Sequence, residues 1–266
     1  MCGIAGFFGF EDKELLNKML DSLYHRGPDD HGSYTDNEAS LGNRRLSIID
    51  IEGGHQPMHN EDETVWVVFN GAIYNFPELK EELEKSGHIF YSNSDTEVLV
   101  HLYEEYDENF PKKLLGMFSF VIWDSVKKKA MLSIDPAGKK PLHYYFNNGI
   151  LLFSSEIKSL LNYKKIKVEL DGVSLNYLLN LQFIPHDRTL FKNIKKLLPG
   201  HTLIYENGEI SINRYWKLEV TESNNSIDYY VKQIQELFKD AVRRRLTMSD
   251  VPVGIFLSGG IDSSSV

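Results

Sequence analysis

A layered α+β architecture is what these 266 residues point to, and three patterns carry that reading. Short runs with strand character recur along the chain. Stretches with helical apolar periodicity are interleaved with them. Gly, Pro and Asn-Gly pairs mark the joins, where turns need them. A helix bundle would lack the first pattern.

The elements can be justified in order. Residues 3–10 are rich in Phe and Gly and read as a buried strand. Leu15, Leu16, Met19, Leu20 and Leu23 repeat at helical spacing over 12–25, and His25-Arg26-Gly27-Pro28-Asp29 stops that helix. Short strands are predicted near 32–35 and 38–42. The β-branched and aromatic run 64–69 is predicted to be a central strand ending at Asn70-Gly71. Asn75 reads as an N-cap, with Pro77 at the start of a helix that stops at Gly87. Ser94 or Asp95 is expected to cap a second helix, with Val98, Leu99, Leu102 and Tyr103 on one face. Strand-like runs follow at 117–123, 130–134, 142–146 and 150–153, then a short helix around 155–161. Residues 202–205 and 209–212 pair across Asn207-Gly208 as a hairpin. The polar stretch 217–225 reads as a linker. Ser226 then caps a helix with Ile227, Tyr230, Val231, Ile234, Leu237 and Phe238 on one stripe. Arg243-Arg244-Arg245 is read as the solvated end of that helix, where cations suit the dipole. Residues 251–257 are predicted to be a strand leading into Ser258-Gly259-Gly260-Ile261-Asp262-Ser263-Ser264.

Composition narrows the function classes. A net charge of −9 leaves no basic footprint, which argues against nucleic acid as a main partner. No apolar run has the ~18 residues that a bilayer span needs. The N-terminus lacks a basic n-region, which argues against a secretory signal. One cysteine excludes an internal disulfide framework and suits a reducing, cytoplasmic location.

That cysteine is residue 2. Removal of the initiator Met, normal before a small residue, would place a thiol and a free α-amine on one amino acid. An α-amine titrates near pH ~7.7–8.0, a useful range for a general base, and can take the thiol proton. Against this stands the ordinary reading of a free cysteine as a small buried hydrophobe.

The surrounding blocks decide between them. Met1-Cys2-Gly3-Ile4-Ala5-Gly6, His25-Arg26-Gly27-Pro28-Asp29, Arg45-Leu46-Ser47-Ile48-Ile49-Asp50, Asn70-Gly71, Ile73-Tyr74-Asn75 and Ser94-Asp95-Thr96-Glu97 occur in one order. Together they resemble the glutaminase domain of glutamine-hydrolysing asparagine synthetases, which are class II (N-terminal nucleophile) amidotransferases. The resemblance continues through Gly138-Lys139-Lys140-Pro141-Leu142, Ser155-Glu156-Ile157-Lys158 and Leu198-Pro199-Gly200-His201 to Leu257-Ser258-Gly259-Gly260, so it covers essentially the whole chain. It implies a four-layer α-β-β-α sandwich over residues 2–216. Residues 226–266 would then be the first helix and strand of an α/β adenylating domain, cut short after its pyrophosphate loop and poorly supported.

The resemblance also implies roles. Cys2 would attack the glutamine side-chain amide, passing through an oxyanion and a thioester. The Asn70 side chain and the Gly71 N–H would be the oxyanion donors, placed just past a strand end, with Gly71 letting the backbone approach substrate. On turn grammar alone, Asn-Gly is equally a plain strand-ending turn. Arg45 would bind the substrate carboxylate, with Leu46, Ser47, Ile48 and Ile49 in the same wall, and Asp95 would bind its ammonium. Leu257, Ser258, Gly259, Gly260, Asp262, Ser263 and Ser264 would meet ATP, with Mg2+ near Asp262. The loop has no Walker signature. Expected partners are L-glutamine and, in the complete family enzyme, L-aspartate and ATP, with homodimerisation left open. Two departures stand out. Ala72 replaces the family's glutamate after Asn-Gly, which predicts weaker or altered glutamine binding. Ile134 replaces an arginine before Asp135, which predicts a loosened ion pair. Two rival readings remain: an amidotransferase of the same type acting on another carboxylate, and a catalytically silent remnant.

Overall fold

The computed structural model describes all residues, 1–266. Alternation along the first strand sets up the layers. In β1 (Gly3–Phe8), Ile4 and Phe8 face one way, and Ala5 and Phe7 the other. Both faces are buried, so helices must cover what the second sheet does not. β1 lies between β3 (Ala39–Arg45) and β9 (Ile150–Ser154). β2 (Asp30–Thr35), β8 (His143–Asn147) and β10 (Ile194–Lys196) complete an antiparallel six-stranded sheet in the order β10-β8-β9-β1-β3-β2. The second sheet comprises β4 (Met58–His59), β5 (Val65–Ile73), β6 (Gly116–Asp124), β7 (Lys129–Ile134), β11 (His201–Glu206) and β12 (Glu209–Arg214). Its order is β12-β11-β7-β6-β5-β4.

Three cores glue these sheets into four layers. Ile4, Phe8 and Leu41 meet Val68, Val121, Trp123 and Leu132 between the sheets. On the outer face of the first sheet, Ala5 and Phe7 pack on α1 (Lys13–Asp21) and α4 (Ile157–Leu160). On the outer face of the second, Val67 and Phe69 pack on α2 (Phe76–Ser86) and α3 (Val98–Tyr106). The α-β-β-α sandwich is therefore present, and burial of these apolar faces is its main driving force.

Several local expectations are corrected. β5 does not end at Asn70-Gly71. Both residues stay in the strand, opposite Ser119 and Phe118, because β6 supplies a partner along the whole length. Asp95 and Ser94 do not cap α3; the Asp95 carboxylate accepts from the Ile73 N–H and the Ser94 hydroxyl from the Thr96 N–H. Asn75 precedes α2, but its side chain bridges to the Leu115 N–H and the Lys113 carbonyl instead of capping. α5 (Gly172–Leu181) and β10 carry no clear sequence period and were not anticipated.

Asp135 shows why Ile134 is tolerated. Ile134 joins the inter-sheet core, and the buried Asp135 carboxylate accepts from the N–H groups of Phe118, Ala137, Lys139 and Lys140. Backbone donors thus do the work expected of an arginine, so no ion pair is left loose.

Beyond the extended stretch 217–226, Ser226 does cap α6 (Ile227–Thr247), accepting from the Tyr229 N–H. No residue of α6 is buried, so its apolar stripe lies open. Residues 251–257 are not a strand; a lone strand has no neighbour for its N–H and C=O groups. A short α7 (Ile261–Ser265) follows the Gly-Gly loop, where no helix was anticipated.

Candidate active site

Cys2 stands at the start of β1, in the middle of the first sheet. Its thiol donates to the Leu46 carbonyl at 3.8 Å, and its own carbonyl accepts from Arg26 Nε at 2.9 Å. Arg26 is held by Glu156, whose carboxylate lies 2.9 Å from Arg26 Nη1. Burial favours the uncharged form of Glu156, but Arg26 and His25 overcome it and bring its pKa down to about 2. Ser155 continues the anchor, accepting from the Ile4 N–H at 3.0 Å. The nucleophile candidate therefore sits on a doubly clamped strand end. Burial pushes its thiol pKa up and pushes the neighbouring α-amine, here that of Met1, down. Both groups are thus biased towards their neutral forms.

Cys2 opens into a cavity of about 420 Å³. Its wall includes Arg45, Leu46, Ile48, Ile49, Asn70, Gly71, Ala72 and Asp95. Ser47 is not part of it; its N–H is spent on the Asp29 carboxylate. The wall also includes Gly54, Gln56, Tyr74, Thr96, Met117 and Lys140, which sequence reasoning did not single out. Lys140 lay within a noted block, but only folding brings it next to Cys2.

The edge of β5 is the central feature. β4 is two residues long, so it leaves β5 unpaired beyond Val67. Phe118 spends its N–H and carbonyl on Asp135, towards β7. The Gly71–Phe118 pair is therefore a non-hydrogen-bonded one, and the Gly71 N–H points away from β6. On that same edge, the N–H of Phe69 is taken by Gln56 Oε1 at 2.8 Å and that of Ile73 by Asp95 Oδ2 at 2.8 Å. Between them, the Gly71 N–H faces the cavity side. The Asn70 side chain is buried, and its Nδ2 has no hydrogen-bond partner. Two donors are thus left unspent on the wall of the cavity that holds the thiol.

Gly71 is also required by its neighbour in the sheet. A Cβ there would lie 2.2 Å from the Met117 carbonyl oxygen and 2.8 Å from Phe118 Cα. The close approach is to β6, across the sheet.

The two arginines separate cleanly. Arg44 points outward and pairs with Asp21. Arg45 is buried, and its guanidinium donates to the carbonyls of Ile49, Asp50 and Ile51 at 2.8, 2.6 and 3.2 Å. These bonds curl the 49–51 loop around it. Gly54 makes room, since a Cβ there would meet Arg45 Nη2 at 2.1 Å. Asp95 is fully buried, and burial raises its pKa to about 7 despite the Ile73 N–H and nearby Arg45. A buried carboxylate in that state favours a cationic visitor.

A model of the glutamine amidotransferase domain matches residues 1–216. The chain belongs to the glutamine amidotransferase family. A second model, asparagine synthase, matches residues 233–266. Among curated relatives, asparagine synthetase [glutamine-hydrolyzing] 1 of Bacillus subtilis is 42% identical over 100% of this chain and 43% of its own length. Amidase chyE of Penicillium rubens is 35% identical over 100% of this chain and 42% of its own length. The chain therefore spans less than half the length of either. The solved allosteric regulatory enzyme of purine biosynthesis superposes with a TM-score of 0.61 at 21% identity, covering 81% of this chain and 49% of that one. At that identity the likeness shows the shared fold.

The end of the chain also touches the site. Of Arg243-Arg244-Arg245, Arg243 is solvated as expected, pairing only with Asp240 of its own helix, whereas the other two turn back onto the fold. Arg244 Nη1 pairs with Glu78 at 2.7 Å, and the Arg245 guanidinium lies 4.4 Å from the Tyr74 ring centre. Arg245, Met248 and Ser249 join the cavity wall. Asp250 clips the 48–50 loop from both sides. Its N–H donates to the Ile48 carbonyl at 3.1 Å, and its carboxylate accepts from the Asp50 N–H at 2.7 Å. No helix in the structure is long and apolar enough to cross a membrane.

Proposed function

We propose that this chain hydrolyses L-glutamine to L-glutamate and ammonia, with Cys2 as the nucleophile. The observation that carries the reading is the pair of unspent donors, Asn70 Nδ2 and the Gly71 N–H, in the cavity that holds the Cys2 thiol. Loss of Met1 moves the α-amine onto Cys2. Burial lowers the pKa of the Met1 amine, and the same surroundings would favour the neutral form of an amine on Cys2, the form that takes the thiol proton. The thiolate attacks the side-chain carbonyl carbon, and the oxyanion receives the two donors, an arrangement worth about 3–4 kcal/mol per donor in comparable sites. The protonated amine returns its proton to the leaving nitrogen, ammonia departs, and water hydrolyses the thioester. Arg45 receives the substrate carboxylate. Asp95 receives its ammonium, a task made heavier by Ala72, which offers no polar atom.

In a protein of the relatives' full length, ammonia would amidate an aspartyl-adenylate made from L-aspartate and ATP. Residues 2–216 then form the amidotransferase unit, 217–225 the linker, and 226–266 the start of the synthetase unit. Homodimerisation and cytoplasmic residence belong to the same proposal. The loop at Leu257, Ser258, Gly259, Gly260, Asp262, Ser263 and Ser264 has the small residues a pyrophosphate and its Mg2+ would need. Here, however, it stands exposed with no enclosing wall, so these residues by themselves do not make a nucleotide site. A second reading is amidation of another carboxylate; a relative that carries a name other than asparagine synthetase leaves room for it.

The test uses untagged protein with Met1 loss verified by intact mass. Trimmed wild type releases glutamate from glutamine, and Cys2→Ala loses at least about 1,000-fold of that rate. Equal release by the variant, or by protein still carrying Met1, refutes the mechanism. No release by trimmed wild type makes the chain the silent remnant.

A further inference from the structure

Away from the glutamine cavity, four side chains converge at the outer end of α3. They are Glu61 from the turn between β4 and β5, His88 just after α2, and His101 and Glu104 one helical turn apart on α3. One ligand atom from each lies within 4.8 Å of all the others. His101 Nδ1 is 3.5 Å from Glu61 Oε2 and 3.5 Å from Glu104 Oε2. His88 Nδ1 is 3.5 Å from Glu61 Oε1 and 3.7 Å from Glu104 Oε2. A tetrahedral ion with bonds of about 2.0–2.1 Å has edges of about 3.3–3.4 Å, so the contacts are slightly open versions of such a shell.

Two further observations raise this above a cluster of charges. His101 is completely buried, yet neither ring nitrogen has a hydrogen-bond partner. Each imidazole also has a separate carboxylate behind its other nitrogen: Glu97 lies 3.5 Å from His101 Nε2, and Glu105 lies 3.2 Å from His88 Nε2. With an ion in the cluster, those carboxylates would hold the Nε2 proton while Nδ1 of each ring faces Glu61 and Glu104, the usual arrangement behind metal-bound histidine. Glu97 is itself fixed by the N–H groups of Tyr91 and Ser92, and Glu104 by Asn60. Phe90 closes one side, its ring centre 4.5 Å from that of His101.

We propose that Glu61, His88, His101 and Glu104 form a binding site for a divalent transition metal, with Zn2+ the best fit. Two imidazoles select against Mg2+ and Ca2+, which take oxygen shells, and two carboxylates cancel the ion's charge. The site joins the β4–β5 turn, the α2–α3 connection and α3, so its role is to pin those three segments together. Glutamine hydrolysis does not pass through it.

The test is a zinc titration of the full chain against a chromophoric chelator, in a Cys2→Ala background that removes the only thiol. One Zn2+ per chain is expected, with Tm rising by roughly 5–10 °C in saturating zinc. His88→Ala, at the partly open side, should lose the zinc and the Tm rise while keeping its near-UV circular dichroism. Glu104→Gln should weaken binding at least about tenfold. X-ray absorption should show nitrogen and oxygen neighbours at about 2.0–2.2 Å. Undiminished stoichiometry in His88→Ala, a six-oxygen shell, or no zinc bound at micromolar concentrations would leave an ion-pair network and overturn the proposal.

Discussion

At the residue scale, the chemistry depends on groups held in costly states. Asp95 is the clearest case, because burial lifts its pKa to about 7 and nothing cationic touches it. Its folded pKa lies above its unfolded value, so the folded chain binds the extra proton between about pH 4 and pH 7. Stability of the free chain should therefore fall as pH rises through that window. Bound glutamine reverses the preference, since its ammonium needs the ionised carboxylate. Calorimetric titration of Cys2→Ala with glutamine should show affinity falling as pH drops below about 7. Asp95→Asn should bind weakly at every pH and show no such slope. An unchanged slope in that variant would remove Asp95 from the ammonium site.

At the element scale, the unpaired edge of β5 organises the site. A longer β4 would have taken the Gly71 N–H, and without Gln56 and Asp95 the flanking amides would be unsatisfied. The strand is held from its other side by β6, with no room for a side chain at Gly71. Gly71→Ala should push the two strands apart, cost about 1–3 kcal/mol of stability, and lower kcat more than it raises KM. Urea unfolding and steady-state glutaminase assays would check this. A variant that keeps full kcat would show that strand position does not aim the donor.

At the scale of the whole molecule, the stretch from Arg244 to Asp250 packs on the amidotransferase fold and forms part of the cavity wall. Asp250 holds the 48–50 loop, which also wraps Arg45. Asp250→Ala should free that loop and raise the KM for glutamine roughly 3–10-fold while leaving kcat within about twofold. Equal KM values would make the clip a passive contact. The exposed stripe of α6, including Ile234 and Leu237, is no part of this contact. Its apolar surface is a place where the isolated chain should self-associate on heating.

Local pattern alone determined a great deal. The hairpin at Asn207-Gly208, the cap at Ser226, the apolar faces of α1 and α3 and most strands depend on near neighbours in the chain, and these are legible in one dimension. The ordered blocks around Cys2, Arg45, Asn70 and Asp95 were legible too, because each site residue carries its own short context. Tertiary structure decided what distance along the chain conceals. It kept Asn70-Gly71 in a strand, because β6 pairs there. It turned Asp95 from a helix cap into the partner of Ile73. It gave Asp135 backbone donors in place of an arginine, and it brought Glu61, His88, His101 and Glu104 together. Each of these outcomes turns on which backbone N–H or side chain is left unpaired, and that is fixed only when separate segments meet.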